Sequence, residues 1–229
     1  AQYAAYLENM SSRLSHELRT PVTVVRSSLE NLSLCENTAE SKVYLDRAEE
    51  GIGRLNLILT HMSEATRLEQ MLQTSEKEKI ELREVVDGSV EGYKLAYPLS
   101  NFEADLPKYP IYITGVPEYI AQLLDKLVAN AVEFSHKDQP IKVYCRTLRD
   151  HAIVKVSNAG PFLPEEMKER IFDSMISVRS QERQRQPHLG MGLHIARLIT
   201  EFHGGQIRAE NQKDQEGVTI TVVIPLYYD

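Results

Sequence analysis

The stretch Ser15-His16-Glu17-Leu18-Arg19-Thr20-Pro21 gathers three groups with chemical potential in seven residues. A neutral imidazole is a nucleophile near its ordinary pKa of about 6.5. A carboxylate that accepts a hydrogen bond from one ring nitrogen leaves the other free to attack, and takes the proton afterwards. Glu17 is the nearest carboxylate to His16. Thr20 stands one helical turn beyond His16, where a hydroxyl can position a water. On a helix His16 lies about 200° around from Leu14, so it points away from the apolar seam. An isolated surface histidine is usually just solvated, so its meaning depends on its surroundings.

The elements that must position these residues are legible in the apolar spacing. Leu7, Met10, Leu14, Leu18, Val25, Leu29 and Leu32 recur at three, four or seven, which predicts a helix over residues 4–34. Pro21 removes one backbone donor and should bend it. Residues 35–41 are a polar break. Leu45, Ala48, Ile52, Leu55, Leu59 and Met62 then alternate three and four apart up to about Leu72, a coiled-coil seam. The two helices make an antiparallel hairpin with too little core to stand alone. Pairing with a second copy gives a four-helix bundle, and hence a homodimer. The competing arrangement is a monomeric hairpin packed on the rest of the chain.

After the polar linker at 73–79 the texture changes. Helical patterns at 81–96, 117–134, 164–173 and 190–203 alternate with β-rich runs. The expected strands are 101–105, 111–114, 141–148, 152–157, 206–211 and 218–225. This predicts an α+β sandwich, with helices on one face of a mixed, mostly antiparallel sheet. The expected domains are therefore residues 1–74 and 75–229.

Composition narrows the function. The chain has 229 residues and a net charge of -7. So acidic a chain suits no general nucleic-acid binder, which needs clustered Lys and Arg. Cys35 and Cys145 form no CxxC pair, which suggests neither zinc nor a disulfide framework. No run approaches the roughly 20 apolar residues of a membrane span. The chain opens AQYAAYLENM without an initiator Met and reads as an excised fragment, which membrane segments could precede in the parent protein.

SHELRTP matches the H-box of histidine kinases residue for residue. From about Leu7 to Pro225 the chain resembles the dimerisation and phosphotransfer domain of a sensor histidine kinase, followed by its ATP-binding domain. The resemblance implies His16 as phosphoacceptor, Glu17 as base and Thr20 as support for phosphatase activity. Gln122–Ser135 resembles the N-box, whose asparagine, here Asn130, holds Mg²⁺ on the ATP phosphates. A single amide oxygen plus phosphates and waters suffices for Mg²⁺. Val156-Ser-Asn-Ala-Gly-Pro-Phe-Leu-Pro164 resembles the first glycine box, with Asn158 and Gly160 at the adenine; the same residues are also good turn formers. Phe172 stands in the F-box, at the base of a lid, although an ordinary core Phe fits equally. His188-Leu-Gly-Met-Gly192 resembles the second glycine box. Gly190, Gly192 and Leu193 open a helix whose first N–H groups can receive phosphate oxygens. Thr219, on the last strand, joins the nucleotide set on the same ground. The polar stretch 174–187 reads as the lid, with Arg179 as a cation over the triphosphate; a solvated charged face is the plainer reading.

Some positions depart from the family pattern. Asn158 replaces the usual Asp, so adenine recognition should be weaker but retained. Glu133 stands where relatives carry Lys, and Lys126 where many carry a second Asn. The expectation is that Lys126 or a lid arginine supplies the missing cation. Val116 replaces the Asp that precedes the N-box helix and is assigned no role.

The function implied is ATP-dependent autophosphorylation of His16 and transfer to the aspartate of a response-regulator receiver domain. The locale implied is the cytoplasmic portion of an inner-membrane sensor. A nucleotide-binding scaffold with degenerate kinase activity is the alternative, motivated by Asn158 and Glu133. An ATP-hydrolysing clamp of the gyrase and heat-shock-chaperone type shares the glycine boxes, but it lacks an H-box hairpin.

Overall fold

A computed structural model describes residues 2–35, 37–173 and 191–228. The side chains of residues 2–13, 16 and 61 lie outside that description, as do Arg179 and Gly190 altogether. The chain forms two compact units, which divide between Arg67 and Leu68.

The first unit is the helical hairpin. Helix α1 spans Gln2–Leu32 and stays α-helical through Pro21. Helix α2 spans Thr38–Thr74. The polar break stops α1 and starts α2 by a side-chain cap: Asn37 Oδ1 accepts from the Ala39 amide at 3.0 Å. The helices approach closely at Gly51. A Cβ there would stand 2.6 Å from Val25 Cγ2 and 3.2 Å from the Pro21 carbonyl oxygen. The expected α2 seam splits in two. Ala48 is buried, and Leu55 and Met62 half-buried, in the stripe of Gly51 that faces α1, while Leu45, Ile52 and Leu59 are exposed. Helix α2 also runs past the expected linker start. Its end belongs to the second unit, because Leu68 is buried in that unit's core and Leu72 packs against it.

The second unit is a sheet with helices on one face. Its five strands run in the order β2 (Phe102–Asp105), β4 (Ile141–Leu148), β5 (His151–Ala159), β7 (Gly217–Pro225), β6 (Gln206–Asn211). Among the described residues, only β2 and β4 pair in parallel. The strands bury alternate residues, as a one-sided core requires: Ile141, Val143 and Cys145; Ala152, Val154 and Val156; Ile220, Val222 and Ile224. Helices α3 (Leu82–Ala96), α4 (Pro117–Phe134) and α5 (Gly192–Phe202) cover that face.

A small antiparallel pair, β1 (Glu78–Glu81) with β3 (Tyr112–Gly115), flanks it. Strand β1 lies where the sequence reads as linker. Glu81 links it to α3, its carboxylate accepting from the amides of Arg83 at 2.9 Å and Ile111 at 3.0 Å. The helix expected over 164–173 is instead two 3-10 turns, Glu165–Met167 and Arg170–Phe172.

Candidate active site

In the hairpin, His16 and Glu17 lie side by side on α1 and Thr20 one turn on. Thr20 is exposed. The orientation expected for the His16 ring lies outside the described side chains. Glu17 has a partner that the sequence reading missed. Arg54 Nη2 of α2 stands 3.3 Å from Glu17 Oε2, across the hairpin. The signal was available in the register. Glu17 is 19 residues before position 36 of the polar break and Arg54 is 18 after it (36 − 17 and 54 − 36), so a chain reversal at the break brings them level.

In the second unit, α4 packs against α5. Pro117 opens α4 at N1, where its missing N–H costs nothing. Lys126, Asn130 and Glu133 are half-buried on α4. Lys126 and Asn130 are one turn apart, hence neighbours on the helix surface. Gly192 begins α5, and a Cβ there would stand 4.0 Å from Lys126 Cδ. Lys126 therefore runs beside the start of α5. The N-cap, Met191, offers no side-chain cap. Helix starts carry amides that lack intrahelical partners and a positive dipole end. Lysine, amide oxygen and helix start together fit a polyphosphate. Leu193 is half-buried and packs on the core beside them.

Asn158 ends the buried row of β5 and is 6% exposed. Its Nδ2 is buried and has no acceptor among the described residues. Its backbone is fixed by pairing with Val218 and by Gln212 Nε2, which donates to the Asn158 carbonyl at 3.0 Å. Gly160 comes two residues later, where only glycine fits: a Cβ would stand 2.1 Å from the Phe134 carbonyl oxygen at the end of α4. This glycine lets the loop press on α4.

Thr219 is not brought to this set. It pairs with Ser157, and their hydroxyls lie 2.8 Å apart. Side chains alternate along a strand, so both point to the sheet face opposite Asn158.

Phe172 is a core residue, 3% exposed, and its backbone is tied to α5. Its carbonyl lies 3.2 Å from Nδ1 of the buried His194 on that helix. Burial lowers the His194 pKa, so the ring is neutral and Nδ1–H is the donor. Arg197 Nη1 reaches Asp173 at 3.4 Å. Both α5 contacts were missed from sequence, because they depend on where the chain returns.

Two family models match the chain. Residues 6–71 match the His Kinase A (phospho-acceptor) domain. Residues 115–228 match the histidine kinase-, DNA gyrase B- and HSP90-like ATPase domain. The sensor protein ChvG of Rhizobium meliloti is 31% identical over 222 residues, covering 93% of this chain and 38% of its own. The sensor protein kinase WalK of Staphylococcus aureus is 23% identical, covering 93% of this chain and 52% of its own. Among solved structures, the catalytic domain of the histidine kinase ThkA is 28% identical with a TM-score of 0.56, covering 66% of this chain and 96% of that one. ThkA in complex with the response regulator TrrA superposes over 99% of this chain and 64% of that one, with a TM-score of 0.68 at 24% identity.

A phosphoacceptor hairpin followed by an ATP-binding α+β unit defines a histidine kinase catalytic core. The chain belongs to the sensor histidine kinases, and it spans about 38% of the length of ChvG.

Proposed function

We propose that the chain is an ATP-dependent protein-histidine autokinase that passes its phosphoryl group to an aspartate of a response-regulator receiver domain. The observation that carries this is the union, in one chain, of the SHELRTP helix with a unit whose α4 and α5 set Lys126 beside Gly192. The His16 imidazole attacks the γ-phosphorus of ATP in line. An N–P bond forms, the bond from the γ-phosphorus to the β-bridging oxygen breaks, and ADP leaves. Glu17, held by Arg54, takes the imidazole proton. Asn130 would hold Mg²⁺ through its amide oxygen, and the ion would supply neutralisation of the charge that develops on the phosphates. Lys126 and the α5 start bind the phosphates, and Asn158 meets the base. Arg179 and Gly190 keep the roles that the family resemblance implies. Thr20 positions a water for a phosphatase reaction on the regulator.

The same reading makes residues 1–74 the dimerisation and phosphotransfer domain and 75–229 the catalytic domain. The protein acts as a homodimer, as the cytoplasmic portion of a sensor anchored in the inner membrane. Among the described residues no helix is long and apolar enough to cross a membrane. The ThkA complex with a response regulator supports the choice of partner.

The test is incubation with Mg²⁺ and γ-labelled ATP, scoring acid-labile, base-stable label beside a His16→Ala control. Label in the parent and none in the control is the expected result. An unlabelled parent that still binds a fluorescent ATP analogue would instead support the degenerate scaffold.

A further inference from the structure

The buried amide of Asn158 carries an inference about which nucleotides the site admits; it rests on the nucleotide-site reading above. Three observations define it. The side chain is 6% exposed, at the end of β5. Its Nδ2 is buried without an acceptor among the described residues. That nitrogen lies 3.1 Å from where a Cβ on Gly160 would stand, so it is aimed over the glycine turn. Strand pairing and Gln212 fix the backbone beneath it. A buried donor without an acceptor among the described residues is a group that an acceptor on a ligand would satisfy.

The chemistry of the group then decides the ligand. A carboxylate offers acceptors only. It can take the amino hydrogen of a 6-aminopurine, and it repels the carbonyl oxygen of a 6-oxopurine. An amide offers one acceptor and one donor about 2.2 Å apart. In one orientation Oδ1 accepts from the 6-amino group while Nδ2 donates to N1. Turned over, Nδ2 donates to a 6-oxo group while Oδ1 accepts from N1–H. Both orientations fill the same space. The amide also replaces a charged hydrogen bond with a neutral one, which reduces the advantage held by the amino form.

We infer that Asn158 makes this nucleobase site permissive, so that it takes 6-oxopurine triphosphates (inosine and guanosine) as well as ATP. Specificity for adenine is set at this one residue, and the chain has relaxed it.

The test is competition against a fluorescent ATP analogue by ATP, ITP and GTP, with the intact chain and Mg²⁺. ITP differs from ATP at the 6-position and N1 without the added 2-amino group, so it isolates the pair of bonds in question. The inference expects an ITP Kd within about tenfold of the ATP Kd, and a rise of the ratio above about a hundredfold in Asn158→Asp, each tenfold being one well-made neutral bond. Far-ultraviolet circular dichroism checks that the variant folds; if it does not, the wild-type ratio alone decides. A wild-type ratio above a hundredfold, or an equal ratio in a folded Asn158→Asp, overturns the inference and leaves the kinase reading intact. A wild-type chain that binds no purine triphosphate overturns both.

Discussion

Lys126 and Glu133 bracket Asn130 on α4, two opposite charges within two turns of the proposed magnesium ligand. A carboxylate there opposes phosphate, so the cation must come from elsewhere, and Lys126 has the position for it: its stem passes Gly192 at the start of α5. Lys126→Ala should raise the KM for ATP about tenfold, from the roughly 1.5 kcal/mol of one charge-assisted bond. Arg149, in the β4–β5 turn, is the control, and Arg149→Ala should leave KM within twofold. Steady-state phosphorylation at varied ATP reads both, and equal small effects would reject the role. Residue identity carried much of this site into the sequence reading, and parity marks where it ran out. Whether Thr219 or its neighbour faces the helices depends on a strand register shifted by one residue. Only the pairing of Thr219 with Ser157 settles that.

At the scale of elements, α4 and α5 are tied by a buried histidine. His203 closes α5, and its Nδ1–H donates to the Ile199 carbonyl at 2.7 Å. Its Nε2 accepts from the Val116 amide, the N-cap of α4, at 3.2 Å. That bond needs a neutral ring, and burial lowers the pKa accordingly. The lowered value means that the unfolded chain takes up protons first on acidification. The stability held by His203, and by His194 for the same reason, is complete above the ordinary pKa of about 6.5 and is lost as pH falls below it. The urea midpoint of the ATP-binding unit should therefore fall between pH 7.5 and 5.5, and His203→Gln should flatten that slope. A wild-type midpoint unchanged across the interval would refute it. Long periodic elements were legible: α4, β4 and β6 stand at the expected bounds. Strand β1 was not, because Glu-Lys-Ile-Glu has no strand pattern of its own and is extended by pairing with β3. Residues 164–173 contain apolar positions without helical support, and they close as 3-10 turns instead.

For the whole molecule, the exposed half of the α2 seam bears on assembly. Leu45, Ile52 and Leu59 recur at intervals of seven and are 46%, 49% and 58% exposed. On α1, Val22 and Leu29 repeat the interval and the exposure. Heptad spacing of exposed aliphatic side chains on both helices of a hairpin is the pattern of a bundle face. Burying one such side chain contributes about 1.5–3 kcal/mol, and a symmetric dimer buries each position twice. The proposed homodimer therefore makes a sharp demand on two residues. Ile52→Glu with Leu59→Glu should convert a micromolar dimer into a monomer by sedimentation equilibrium, while the ATP-binding unit keeps its nucleotide affinity, since neither residue belongs to it. If the parent sediments as a monomer at those concentrations, the exposed seam is not a self-association face. If the variant stays dimeric, the copies meet elsewhere. Loss of dimer together with loss of His16 label and retention of ATP binding would further indicate that the phosphoacceptor hairpin is assembled only in the pair.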